Sequence, residues 1–251
     1  MSPLAALAIL GVGLVAGTLN TIVGSGSLIT FPTLLALGYP PVVANVSNTV
    51  GLIAGSISGA IGYRRELEGQ ARRLRVLGVA SLTGGLTGGM LLLALPASVF
   101  EDVVPVLILV ACLLVALQPR LARRVAAGDG PRRVHGGPLL FVAVFLTGIY
   151  GGYFGAAQGV MLIALLGIFL DDSLQRLNAA KNVLAALVNG IAAVLFIAFA
   201  DVDWAVAGLL AAGAIVGGQV GANVGRRISP GWLRAVIVVV GVTVALRLLV
   251  R

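Results

Sequence analysis

The sequence predicts an all-α polytopic membrane protein with two inverted repeats of about five helical segments each and a short broken or re-entrant hairpin in each repeat. The first observation is composition: 59% of the residues are apolar, 10% are charged, and the mean hydropathy is +1.08, outside the range of soluble proteins. The second is an internal duplication with an offset of 133 residues. The third is an uneven distribution of arginine between loops.

Ten apolar segments divide evenly between two repeats, which we place at 1–117 and 138–251 around a basic linker at 118–137. Segments of about 20 residues can cross a bilayer, but the second segment of each repeat is too short to cross undistorted. We expect those two to be half-helices that return from a re-entrant turn. The segments are 3–22, 27–38, 41–63, 76–95, 99–117, 138–155, 158–170, 178–200, 204–224 and 231–250.

The duplication is clearest at polar positions inside apolar segments. Under the 133-residue offset, Asn45, Thr49 and Ser56 coincide with Asn178, Asn182 and Asn189, respectively. Positions i, i+4 and i+11 lie on one face of a helix. Because polar groups in hydrocarbon must face protein, water or a ligand, these two faces predict a shared central site.

Charge placement predicts the topology. Ten of the seventeen basic residues are arginines in loops 64–75 and 118–137. These loops contain no aromatic residues and belong to no nucleic-acid-binding fold, so the net charge of +8 indicates cytoplasmic loops near anionic lipid, not nucleic acid. Both termini then lie outside and the halves are inverted. The same topology also places Arg176, Arg226, Arg227 and Arg234 inside, and Glu101, Asp102, Asp201, Asp203, Arg247 and Arg251 outside.

Glycine-containing breaks precede the two short segments, at Gly24-Ser25-Gly26-Ser27 and at Ala157-Gln158-Gly159. A helix that starts after such a break directs free N–H groups and a positive dipole end at its surroundings. Two inverted copies would form an anion site near the membrane midplane. The alternative is that these glycines only permit close packing.

Side chains near the breaks complete the predicted site. Asn20 and Tyr153 either bind a ligand or cap the broken helices. Lys181, which coincides with Asn48, either neutralises an anion or extends to the cytoplasmic interface. Other polar residues line the pathway or hydrogen-bond between helices: Ser47, Ser56, Asn189 and Gln219. The predicted substrate-binding set is Asn20, Gly24, Ser25, Gly26, Asn45, Asn48, Thr49, Tyr153, Gln158, Gly159, Asn178, Lys181 and Asn182.

No enzyme is indicated. The single histidine, His135, and the single cysteine, Cys112, have no catalytic partners near them in the sequence, and no phosphate-binding loop is present. We expect no cofactor and no metal. The run 171–173 (Asp-Asp-Ser) fits a cap for the next helix better than a metal site.

The stretch Gly-Thr-Leu-Asn-Thr-Ile-Val-Gly-Ser-Gly-Ser-Leu-Ile-Thr-Phe-Pro-Thr-Leu at 17–34, with 36–45 and 47–50 after it, resembles the sulfite exporter TauE/SafE family. The resemblance spans the whole chain. It implies a bacterial inner-membrane transporter of two repeats that moves sulfite, other sulfur oxyanions or organosulfonates.

Together these features predict a secondary transporter that exports a small anion by alternating access, with the lipid bilayer as its surroundings. The negative cell interior favours efflux of anions. The alternatives are a passive anion channel, an uptake carrier for a related sulfur oxyanion, or a structural partner in a membrane complex. The sequence is also compatible with a homo-oligomer.

Overall fold

Ten α-helices and one 3-10 turn form the part of the chain that the computed structural model describes, residues 1–127, 137–224 and 231–249. The helices are α1 (Pro3–Ile22), α2 (Ser27–Ala36), α3 (Pro41–Gly62), α4 (Ala71–Ala94), α5 (Ala97–Ala127), α6 (Pro138–Tyr153), α7 (Gln158–Phe169), α8 (Leu174–Phe199), α9 (Trp204–Val224) and α10 (Gly231–Leu249); the 3-10 turn is Arg64–Leu67. The part of the linker at 128–136, which includes His135, lies outside the described residues. So do Arg226, Arg227 and Arg251, and the side chains of Arg234 and Arg247.

The predicted all-helical membrane fold is confirmed. Within the described residues, six helices are long and apolar enough to cross a membrane, whereas α2, α6 and α7 are shorter. The two predicted half-helices are α2 and α7, with 10 and 12 residues. A length near 20 residues is needed to span the hydrocarbon core, so neither α2 nor α7 spans it alone.

Helix boundaries follow capping signals in the sequence. The Ser2 hydroxyl accepts a hydrogen bond from the Ala5 N–H at 3.2 Å, and prolines occupy the first turns of α1, α3 and α6, where a missing N–H costs nothing. Two boundaries differ from the prediction by five residues or more. Helix α4 begins at Ala71, before the apolar segment at 76–95, and α5 continues to Ala127, beyond 117. Both additions are rich in alanine, leucine and arginine, which are strong helix formers, and the charge of the arginines is what ends the apolar segments.

Helix packing pairs the two halves in equivalent ways. Helix α1 packs mainly on α9, and α6 packs mainly on α4, which is the same pairing with the halves exchanged. Likewise, the contact of α3 with α9 corresponds to the contact of α8 with α4. In addition, two pairs of equivalent helices pack on each other, α3 on α8 and α5 on α10. This is the pattern expected of two related repeats. The inversion of the halves relative to the membrane, and their boundaries, stay predictions.

Equivalent glycines permit these close contacts. A Cβ on Gly88 of α4 would lie 2.8 Å from the Tyr153 backbone nitrogen of α6. One on Gly221 of α9, the equivalent of Gly88, would lie 2.8 Å from the Thr18 backbone oxygen of α1. Any side chain would separate these helices, so both pairs depend on the small residues that membrane helices use for close approach.

Candidate functional site

The two chain breaks lie against each other. The Gly159 N–H donates a hydrogen bond to the Gly24 carbonyl at 3.2 Å, and a Cβ on either glycine would overlap the Cα of the other. Gly24 has a φ of +86°, and Ala157, its equivalent in the second repeat, has a φ of 60°. The second break therefore keeps the left-handed backbone of the first without keeping the glycine.

Three backbone N–H groups at the start of α2 and α7 already have partners inside the protein. The Gly26 N–H donates to the Asn20 side-chain oxygen at 2.6 Å, the Gly159 N–H to Gly24, and the Gln158 N–H to the Gly155 carbonyl at 3.3 Å. Asn20 therefore caps the start of α2. Side chains, not these amides, supply the donors around the breaks in this conformation.

The polar faces of α3 and α8 are buried and reach across to the opposite repeat. Asn45 donates to the Tyr153 carbonyl at 3.0 Å, and Asn178, its equivalent, donates to the Thr21 carbonyl at 3.0 Å. The accepting carbonyls lie at the C-terminal ends of α6 and α1, where backbone oxygens lack helical partners. Each repeat thus caps the broken helix of the other.

Lys181 lies beside this cap and is 1% exposed. Its ammonium donates to the Asn20 carbonyl at 2.8 Å and to the Thr21 carbonyl at 3.2 Å, which places a positive charge at the negative end of α1. Within the described residues it forms no ion pair with a carboxylate. An ammonium has three hydrogens, so one hydrogen is left after these two bonds. The interfacial alternative required the Lys181 side chain to extend towards the cytoplasmic end of its helix, whereas its ammonium binds the end of α1 instead.

A small, partly open cavity lies next to Lys181, between the breaks and the polar face of α8. The volume open to the centre of a water molecule is about 20 Å³, which is enough for one or two water molecules. A larger occupant therefore requires the walls to move. The described lining residues are Asn20, Thr21, Gly24, Ser27, Ser56, Gly155, Gln158, Gly159, Lys181, Asn182, Ala185 and Asn189.

Two buried amide groups in this lining have donors without an acceptor in the protein. These are the Gln158 and Asn182 side-chain nitrogens, on side chains that are 3% and 4% exposed. The Ser27 hydroxyl oxygen accepts from Asn48 at 3.2 Å, which leaves the hydroxyl hydrogen for another partner. An unpaired buried donor costs about 1–3 kcal/mol. Such a concentration of donors indicates that the cavity suits a hydrogen-bond acceptor.

The predicted residues separate into two groups. Six line the cavity: Asn20, Gly24, Gln158, Gly159, Lys181 and Asn182. The others are not among its lining residues: Ser25, Gly26, Asn45, Asn48, Thr49, Tyr153 and Asn178. Of the second group, Tyr153 directs its ring to Phe100, with the ring centroids 5.6 Å apart.

Some lining residues were outside the predicted set. Ser27 belongs to the first break and Gly155 lies two residues before the second, so their position at the turns is the sequence signal that could have identified them. Ser56 and Asn189, expected either along the pathway or between helices, line the cavity. The remaining unpredicted residues are Thr21 and Ala185.

An ion-pair cluster connects the two halves at the start of α8. Asp172 accepts from Arg73 and from Arg176, both at 2.8 Å, and the Arg176 guanidinium also donates to the Glu68 carbonyl at 2.9 Å. Burial alone raises the pKa of the Asp172 carboxyl, but hydrogen bonds from Arg73 and the Ser173 backbone, with the charge of Arg176, outweigh burial and hold this pKa below its usual range. Ser173 caps α8 by accepting from the Arg176 N–H at 3.4 Å, as predicted.

Apolar helices of membrane-spanning length around a buried polar cavity define the class as a polytopic membrane transporter. The sequence model of the family described as sulfite exporter TauE/SafE matches residues 9–248 of this chain. The chain belongs to this family.

Curated relatives carry transporter names. The chain is 28% identical over 251 residues to the probable membrane transporter protein YfcA of Escherichia coli. The match covers 99% of this chain and 91% of the relative. It is 29% identical over 215 residues to a probable membrane transporter protein of Haemophilus influenzae, 84% of this chain and 82% of that one. It is 26% identical over 237 residues to the probable membrane transporter protein ORF9 of Sinorhizobium, 94% of this chain and 88% of the relative. No solved structure matches the chain significantly.

Proposed function

We propose that the protein is a secondary transporter of a small anion and that it exports sulfite or an organosulfonate across the bacterial inner membrane by alternating access. The observation that carries this proposal is the buried Lys181, which has one ammonium hydrogen left for the cavity beside the unpaired amides of Gln158 and Asn182. Charged and neutral N–H donors together suit an oxyanion. The family description, sulfite exporter, supports the substrate class.

Within this proposal, the cavity-lining residues contact the anion and the remaining predicted residues position them. Asn45 and Asn178 hold the ends of α6 and α1, and Asn48 holds Ser27. Movement of either repeat would therefore shift the breaks and the donors together. That coupling is what a carrier needs in order to open its site to one side at a time.

The proposed topology places loops 64–75 and 118–137 in the cytoplasm and both termini outside. Residues 1–117 and 138–251 form inverted repeats, with α2 and α7 as re-entrant half-helices. The exchange of equivalent helix contacts between the halves supports the repeat relation, and the arginine distribution supports the inversion.

Export is favoured over uptake for two reasons. The membrane potential drives an anion outward by about 2.3 kcal/mol per charge per 100 mV. In addition, none of the described lining residues is a carboxylate that could carry a proton or bind sodium to drive uptake.

Counterflow in proteoliposomes tests the proposal. Purified protein is reconstituted into vesicles loaded with unlabelled sulfite or taurine, and entry of the labelled compound is followed. We expect saturable entry that is faster when the same substrate is inside. Entry without saturation or exchange would indicate the channel alternative, and entry only with an imposed proton or sodium gradient would indicate an uptake carrier. No movement of any sulfur anion would contradict the proposal.

A further inference from the structure

Positive charge in the cavity is limited to one side chain. Lys181 is the only titratable residue among the described lining residues, and those contributed by α1, α2, α3 and α7 are all uncharged. No described arginine lines the cavity. The charge available to an occupant is therefore at most one.

Part of that single charge is already used. Two of the three ammonium hydrogens of Lys181 bind the carbonyls of Asn20 and Thr21, at the helix end that carries partial negative charge. One hydrogen is left for an occupant of the cavity. Because the side chain is 1% exposed, solvent supplies little additional screening.

Helix N-termini add no ionised group to this balance, and most of their N–H groups at the breaks are paired inside the protein. The partial positive charge of a helix start resides on its unpaired N–H groups. The Gly26, Gln158 and Gly159 N–H groups donate to acceptors inside the protein. The remaining donors identified at the cavity, on Ser27, Gln158 and Asn182, are neutral.

We propose that the cavity accepts a singly charged oxyanion and rejects a doubly charged one. This inference rests on the proposed function and specifies the charge state of its substrate. Neutral N–H and O–H groups can satisfy the oxygens of either ion, but a second negative charge in a buried site would have no countercharge, which is strongly unfavourable. The transported species are then hydrogensulfite and organic monosulfonates, and the sulfite dianion and sulfate are excluded.

Competition in the counterflow assay tests this inference. Sulfite changes from monoanion to dianion near neutral pH, whereas methanesulfonate is a monoanion and sulfate a dianion on both sides of neutrality. We expect the apparent affinity for total sulfite to fall on the alkaline side in proportion to the loss of hydrogensulfite. Inhibition by methanesulfonate, measured at the same pH values, corrects for titration of Lys181 and other protein groups. Sulfate should compete at least about a hundredfold more weakly than methanesulfonate.

The outcomes separate this inference from the proposed function. Two results would overturn the charge assignment while leaving anion transport intact. One is sulfate that competes as well as methanesulfonate, and the other is an apparent affinity for total sulfite that does not change with pH. Failure of every anion to exchange would overturn the proposed function and the inference with it.

Discussion

At the scale of single residues, Lys181 has two roles. Its ammonium holds the carbonyls at the end of α1, and its remaining hydrogen is available to the cavity. Its equivalent, Asn48, interacts with Ser27 and Thr30 of α2 instead. The two repeats therefore differ at this position, and positive charge enters the site from the second repeat alone.

Replacement of Lys181 by methionine should weaken the apparent affinity for the anion by about 1–3 kcal/mol, as expected for loss of a charged hydrogen bond. Lys181→Arg should keep part of the activity because the charge persists with different geometry. The measurement is counterflow at matched expression.

Asn178→Ala is the matched control for Lys181→Met, because Asn178 also binds the Thr21 carbonyl but carries no charge. We expect it to lower stability with a much smaller change in affinity. Wild-type kinetics in Lys181→Met would show that the charge is not used.

The equivalent positions Gly24 and Ala157 provide a second test. Gly24→Ala should prevent correct assembly of the breaks, since its φ is +86° and the methyl group would overlap Gly159. Ala157→Gly should change the free energy of unfolding by less than about 1 kcal/mol, because relief of a left-handed alanine offsets the loss of a buried methyl group. Thermal unfolding in detergent measures both. Equal effects at the two positions would contradict the assigned geometry.

At the scale of helices, the α8 start is anchored to the loop between α3 and α4 and to the first turn of α4. Asp172 and Arg176 precede Lys181 on the same segment, and Arg73 and Glu68 belong to the opposite half. Asp172 therefore helps to fix the depth at which Lys181 enters the site.

The lowered pKa of Asp172 gives the ion-pair cluster a defined pH dependence. A carboxyl group whose folded pKa lies below its unfolded value stabilises the protein above the unfolded pKa, and this stabilisation disappears as the pH falls through the folded pKa. Wild-type stability should therefore decrease below about pH 4.

Asp172→Asn should remove that acid-dependent decrease and lower the free energy of unfolding at neutral pH by about 3 kcal/mol, because the 2.8 Å ion pair between Asp172 and the buried Arg73 would be broken. Glu101→Gln, at an exposed carboxylate of α5, is the control and should resemble wild type. Unfolding curves of the variants between acidic and neutral pH check this. An unchanged acid dependence in Asp172→Asn would rule out this role.

Most helices could be predicted from local signals, because prolines, glycines and caps mark their ends. The extension of α5 to Ala127 was missed because an apolar segment ends where hydrophobicity ends, whereas a helix with favourable propensity can continue into water. The site was predicted less completely. Helical spacing identifies the face on which Asn45 and Asn178 lie, but only the packing shows that these amides bind carbonyls of the opposite repeat.

At the scale of the whole molecule, the 133-residue offset relates helices that pack on equivalent partners. It could not anticipate how far the repeats have diverged. Ser25 and Gln158 are equivalent under the offset, yet Gln158 lines the cavity and Ser25 does not. Equivalent backbone positions thus carry unequal roles, and the cavity is built asymmetrically.

This asymmetry allows a direct test of the central claim that the cavity beside Lys181 binds the transported anion. Single cysteines are placed at Gln158 or Ser25 in a Cys112→Ser background, and labelling by a small maleimide is measured with and without methanesulfonate in reconstituted protein. We predict that methanesulfonate slows labelling of Gln158→Cys and leaves labelling of Ser25→Cys unchanged. Labelling of Gln158→Cys that no sulfur anion affects, or equal protection at the two positions, would contradict the account.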